Sequence, residues 1–295
     1  MLCEPTAIHV ARTAVPSQYR VTWQSGEPAG TLRWRPAAAP EADAVDVRAN
    51  ASTYARSDVC GVPANVSIGW FDPGWIHTAV FDAPGSSPAV FDAPGSSPAA
   101  YIYSVGTPNC TTDPAGGALW SPAATLRGAP APGGHANVLF VGDMGEAPRD
   151  SPPSAHHWQQ PSPTEVVDAM ILEAARGEYD AIFHIGDLAY ATGYMSIWDG
   201  FMSQIQPMAA TVPYYTSPGN HERVAPNSGT IRQGDDSGGE CGVPFNARFI
   251  QPAGDDKSKP VSAGSKDPRQ PFYSDDIGPM HVIFASTEHD LHPGK

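Results

Sequence analysis

Three apolar runs in this chain end in the same way, at a glycine followed at once by polar side chains. They are "NVLFVGDMG" (137–145), "DAIFHIGDLAY" (180–190) and "VPYYTSPGNHE" (212–222). Each reads as a short buried strand whose carboxyl end turns sharply. Between the first two lies "SPTEVVDAMILEAARG" (162–177), a helix with legible ends. Ser162 serves as N-cap, Pro163 sits at N1, Glu165 completes a capping box, and Gly177 closes the helix. Val166, Val167, Met170, Ile171 and Ala174 form its apolar face. Ile197, Trp198, Phe201, Met202, Ile205 and Met208 mark a second amphipathic helix, and "PMHVIFAST" (279–287) a further strand. Alternating strands and helices predict α/β layering with strands buried on both faces.

The first part of the chain reads differently. "QYRVTWQS" alternates Tyr19, Val21 and Trp23 on one face, and "TLRWRP" repeats the pattern with Leu32 and Trp34. "WIHTAVF" and "AYIYSVG" continue it, with turn residues between the runs. Pro 32 and Gly 29 make up about a fifth of the chain, which favours short strands and many turns. The predicted organisation is an all-β sandwich over 1–128, a Pro/Gly linker over 129–136, and an α/β layered region over 137–295. "AVFDAPGSSP" occurs twice in tandem, at 79–88 and 89–98. It is read as a lengthened loop, since closure entropy grows slowly with loop length.

Charge excludes one class of function. The net charge is −14, and a nucleic-acid surface needs Lys/Arg stripes that this chain lacks. An anionic substrate must therefore be drawn to a local positive centre, for which a bound metal ion is the natural candidate. No apolar run reaches the length of a membrane span. The four cysteines, Cys3, Cys60, Cys110 and Cys241, show no zinc-site spacing and allow two disulfides of unassigned pairing. Sequons begin at Asn50, Asn65 and Asn109, which favours a secreted glycoprotein. The N-terminus carries no signal-peptide pattern, so the expectation is that the true start is missing or the protein is not secreted.

In an open α/β sheet, functional groups gather where strands end at their carboxyl edge. Taken singly, each tip has a plain explanation: Asp after a strand forms turns or caps helices, Asn and Gly make turns, and Tyr packs half-buried. Together, Asp143, Asp187, Tyr190 and Asn220 make a hard, oxygen-rich set suited to di- or trivalent cations. His221 stands beside them, and Glu222 and Arg223 are read as bracing its loop. "GDDSGGE" (234–240) is an acidic, Gly-rich loop without the EF-hand positions for calcium.

GDMG, GDLAY and GNHE, in this order and after these strands, resemble the first three blocks of the calcineurin-like metallophosphoesterase superfamily. The Tyr of GDLAY narrows the resemblance to purple acid phosphatases. "HIGDLAYATGY", "SIWDGF", "GGECGVPFNARF" and "STEHD" resemble the large plant and algal branch, which includes diphosphonucleotide phosphatase/phosphodiesterases. The resemblance implies a fibronectin type III-like N-terminal domain and a binuclear centre of Fe(III) with a divalent Zn, Mn or Fe ion. Asp143 and Tyr190 would hold iron, Asp187 would bridge, and Asn220 would hold the divalent ion. His221 would meet the substrate as acid while a metal-bound hydroxide attacks phosphorus. The implied substrate is a small phosphate mono- or diester, and the implied location secreted or vacuolar.

The resemblance also calls for three histidine ligands, two of them in a GHxH block that does not occur here. After His221 the histidines are His281, His289 and His292, and none is assigned as a ligand. His156 and His157 are read as solvated loop. The expectation is therefore a C-terminally truncated phosphatase with four of seven ligands, weak metal binding and little activity. The alternative is a catalytically dead secreted glycoprotein that binds a partner through its β-sandwich.

Overall fold

The computed structural model describes residues 3–68, 70–83, 99–108, 110, 117–146, 163–226, 228, 230, 233–252 and 272–289. Ser162, Asn109, His156, His157, His292 and residues 84–98 of the tandem repeat lie outside the described residues.

Among the described residues, nine strands occupy the N-terminal part: β1 (Thr6–Arg12), β2 (Gln18–Ser25), β3 (Thr31–Pro36), β4 (Val45–Arg48), β5 (Asn50–Ser52), β6 (Trp75–Asp82), β7 (Ala100–Thr107), β8 (Leu119–Trp120) and β9 (Ala124–Arg127). They form two antiparallel sheets, one in the order β1-β2-β6-β5 and one in the order β4-β3-β7-β8, with β9 also paired to β7. Period-2 alternation sends Tyr19, Val21, Trp23 and Phe81 from one sheet and Leu32, Tyr101, Tyr103 and Val105 from the other into a single core. Asn50 is exposed on the edge strand β5. A disulfide joins Cys3 to Cys110, and a second joins Cys60 to Cys241.

One polar group is enclosed on the same side as Trp23. His77 is fully buried, bonded through Nε2 to Ser25 Oγ at 2.9 Å and stacked on Trp23 at 5.2 Å. Burial lowers its pKa from 6.5 to about 4, with the hydrogen bond to the Glu27 backbone opposing. The unfolded imidazole therefore takes a proton first as pH falls, so stability drops between pH 6.5 and 4 by up to about 1.4 kcal/mol per pH unit. Thermal melts followed by near-UV circular dichroism should show a shallower pH dependence over that window in His77→Gln. An unchanged slope would assign the acid sensitivity elsewhere.

The second part holds a three-stranded parallel sheet, β10 (Val138–Val141), β11 (Ala181–Ile185) and β12 (Tyr214–Ser217). Helices α1 (Thr164–Ala175) and α2 (Met195–Ala209) cover the face bearing Leu139, Ile182 and Tyr214. All six apolar residues predicted for the second helix are buried. In α1, Val167, Met170 and Ala174 are buried, Ile171 is half-buried, and Val166 is 52% exposed, so the buried stripe is narrower than predicted. The opposite sheet face carries Phe183 and Tyr215 and packs against an antiparallel hairpin of β13 (Tyr273–Ile277) and β14 (Met280–Phe284). The predicted strand over 279–287 is β14, paired with β13. One expectation is corrected here: burial on both faces is incomplete, since Phe140 and Ile185 stand 62% and 59% exposed.

The two parts share buried contacts. Ala7, Tyr54, Val59, Ala64 and Ile76 enter the same core as α2. Arg12 on β1 pairs with buried Asp275 on β13 at 3.3 Å, and the Tyr215 hydroxyl donates to the same carboxylate at 2.6 Å. Arg20 donates to the Ile250 carbonyl, His9 to the Arg248 carbonyl and Tyr103 to the Ala210 carbonyl. A helix of six residues, Val243–Arg248, supplies the fully buried Arg248 to this seam. No helix of the described residues is long and apolar enough to cross a membrane.

Candidate metal centre

The parallel sheet places the tips of β10, β11 and β12 side by side, as the three sequence runs implied. Pairing continues past the strand ends, with Asp143 N–H donating to the Gly186 carbonyl at 3.1 Å and Gly145 N–H to the Leu188 carbonyl at 2.8 Å. Asp143, Asp187 and Tyr190 all sit at left-handed backbone angles, φ 53°, 50° and 51°. Side-chain-bearing residues adopt this region at a cost of order 1–3 kcal/mol each, and such residues cluster at functional sites. The conformation turns all three side chains together. The Tyr190 hydroxyl donates to Asp143 Oδ1 at 2.9 Å and lies 3.3 Å from Asp187 Oδ2.

Gly219 is required by the crowding at this point, because a β-carbon there would run into Asp187 Oδ1 and the Asp187 nitrogen. Asn220–Arg223 then make one short helical turn. The His221 N–H donates to Asp187 Oδ1 at 3.0 Å, and the His221 ring packs on Tyr190 with centroids 4.3 Å apart. Glu222 is fully buried and accepts from the N–H groups of Asp187, Leu188 and Gly219 at 2.8–2.9 Å. It braces its own loop, as the sequence reading assigned, and the tip of β11 as well. Burial, followed by the charge of Asp187, pushes its pKa up to about 8. Burial raises Asp187 as well, against the hydrogen bond and charge of His221, with the Asp143 charge adding to the rise.

Asp143, Asp187, Gly219 and Asn220 line an open cleft of about 430 Å³ that is also lined by Phe140, Ile185 and Ile283. Among the described residues no group of three or more His, Cys, Asp or Glu side chains gathers to hold a metal ion. The convergent donors are instead two carboxylates and a phenol, with an amide on the same cleft. All are oxygen ligands, a set that fits a hard cation. His281 is exposed on the hairpin and paired with Asp276 at 2.6 Å, and His289 is buried and bonded to Ser286 Oγ at 2.9 Å. Neither joins the tips. Sequence reasoning missed Asp236, whose carboxylate accepts from Asn220 Nδ2 at 2.9 Å and whose carbonyl meets His221 Nδ1 at 2.9 Å. The only signal was its place in the acidic loop 234–240. The carboxylates of that loop are engaged by protein donors: Asp235 by Gly239 N–H, Asp236 by Asn220, and Glu240 by Gly193 N–H and the Trp198 indole.

Residues 136–281 match the family model of the calcineurin-like phosphoesterases. This span is a calcineurin-like metallophosphoesterase domain, and the homologues of the chain are purple acid phosphatases. Probable inactive purple acid phosphatase 1 of Arabidopsis thaliana is 38% identical over 82% of this chain and 35% of its own length. A nucleotide pyrophosphatase/phosphodiesterase of Hordeum vulgare is 35% identical over 61% of this chain and 45% of its own. The solved structure of purple acid phosphatase PPD1 from yellow lupin seeds superposes with a TM-score of 0.79 at 33% identity, over 99% of this chain and 46% of that one. The chain spans less than half the length of these relatives.

Proposed function

We propose that this chain carries part of a binuclear phosphoesterase centre acting on small phosphate mono- or diesters, behind a fibronectin type III-like N-terminal module. The observation that carries the reading is the meeting of Tyr190 with Asp143 and Asp187, three residues held in left-handed backbone at adjacent strand tips. Asp143 and Tyr190 would hold Fe(III), Asp187 would bridge, and Asn220 would hold a divalent Zn, Mn or Fe ion. Metal ions there would polarise the phosphoryl oxygens and acidify a bound water toward neutrality. His221, oriented by its Nδ1 contact with the Asp236 carbonyl, would serve as the acid toward the leaving oxygen. The name of the barley relative supports a nucleotide-like diester as one substrate class. Cysteine pairing and the exposed Asn50 sequon support an oxidising, secretory route.

Four donors without the GHxH histidines imply weak metal binding and slow turnover by the 295-residue chain itself. Titration with Fe(III) should give a weak visible tyrosinate band that disappears in Tyr190→Phe. Metal-stimulated hydrolysis of bis(p-nitrophenyl) phosphate should be low and fall to background in Asp187→Asn. A band of equal strength in Tyr190→Phe would overturn the assignment. Stoichiometric, tight iron would overturn the claim of weak binding. Absence of any metal-dependent turnover, with the sheets still folded, would favour a binding glycoprotein.

A further inference from the structure

We propose that Asp236 is a positioning residue of this site, holding Asn220 and His221 at once; the proposal rests on the reading of those two residues given above. Its carboxylate accepts from Asn220 Nδ2, which leaves the amide oxygen as the atom free to face a cation in the cleft. Its backbone carbonyl can only accept, so the contact with His221 fixes a proton on Nδ1 and sets the orientation of the ring beside Tyr190. Two neighbouring side chains with different tasks thus take their orientation from one residue on another loop.

That loop is built to be stiff. Ser237 N–H donates to the Val224 carbonyl at 2.9 Å, and Gly238 N–H to the Asp235 carbonyl at 3.0 Å. The carbonyls of Gly238 and Gly239 accept from Ala64, and from Cys60 and Gly61, in the N-terminal part of the chain. Both glycines adopt left-handed angles, and a β-carbon on either would strike backbone, of Thr192 for Gly238 and of Gly61 for Gly239. The Cys60–Cys241 bond fastens the far end. Asp236 is therefore presented to the site from a loop clamped across the seam, a fixed support of the kind that sets ligand orientation.

The test uses the whole chain, with Mn(II) as the probe, titrated calorimetrically into the wild type, Asp236→Ala, Asp236→Asn and Asn220→Ala. Asp236→Ala should weaken Mn(II) binding by about 10–100-fold. Asp236→Asn keeps an acceptor oxygen for Asn220 and should recover much of that loss. The Tyr190-dependent iron band should persist in all three variants. Without metal, ¹⁵N NMR should show His221 as the Nδ1–H tautomer in the wild type and a hydrogen-bonded Asn220 side-chain amide that is lost in Asp236→Ala. Wild-type Mn(II) affinity in Asp236→Ala, with Asn220→Ala impaired, would overturn the positioning role and leave the ligand reading intact. Unimpaired binding in Asn220→Ala would overturn the ligand reading itself. An Nε2–H tautomer at His221 in the wild type would overturn the carbonyl half of the proposal.

Discussion

Replacing both Cys60 and Cys241 with Ser should lower the unfolding free energy by about 5 kcal/mol, the largest change we expect from any pair of substitutions. The bond spans 181 residues of sequence, and the chain-entropy account of cross-links gives about 5 kcal/mol for a closed loop of that size. Backbone pairing of Cys60 and Gly61 with Gly239 remains after the bond is gone, so the folded arrangement itself survives. The effect should therefore appear as a lower urea midpoint for the cooperative transition. A loss below about 1 kcal/mol would show that the unfolded ensemble already keeps these segments close. Because the bond anchors the loop that carries Asp236, reduction should also weaken Mn(II) binding in the otherwise folded protein.

Much of the site could be read from the sequence because its parts are local. The strand tips announce themselves as apolar runs broken by Gly-Asp or Gly-Asn, and parallel pairing in the order β10-β11-β12 brings those tips together without further information. The periodicity of α2 was legible for the same reason, since a helix buried against two partners must be apolar on a wide face. What escaped notice depends on partners distant in sequence. Strand β13 alternates Tyr273, Asp275 and Ile277 inward, and an Asp at the central inward position hides the pattern. That Asp is tolerated because Arg12 and Tyr215 meet it in space. Asp236 escaped for a similar reason, because the contact of a loop residue with Asn220 is set by how the loop is clamped. The two disulfide pairings likewise follow from the fold and not from cysteine spacing.

Arg248→Met should cost about 1–3 kcal/mol, the range for leaving buried hydrogen-bond partners unsatisfied, because Asp199 is 41% exposed and only the arginine end of the pair is buried. The Arg248 guanidinium is fully buried, donates to the Tyr54 hydroxyl at 2.6 Å and the Asp199 carboxylate at 3.4 Å, and lies over the Trp198 ring. Its charge also reaches Glu240, which is fully buried against Gly193 and Trp198. Burial pushes Glu240 up to about 7, while the hydrogen bonds from Gly193 and Trp198, and then the Arg248 charge, pull it back. The ordinary carboxyl value is 4.5, so between pH 4.5 and 7 the folded chain binds the proton that the unfolded chain has released. The contribution of Glu240 is therefore fully present below pH 4.5 and is lost as pH rises through 7. Without Arg248 the folded value moves higher still, and the variant should lose more stability at pH 8 than at pH 5. Glu240→Gln removes that titration, and in the Arg248→Met background it should recover about 0.5–3 kcal/mol of coupling. Urea unfolding of the four proteins at pH 5 and pH 8 measures both quantities. A loss from Arg248→Met that is equal at the two pH values would uncouple Glu240 from the arginine. The contribution of Arg248 to the seam would then come from its packing and from its Tyr54 and Asp199 contacts.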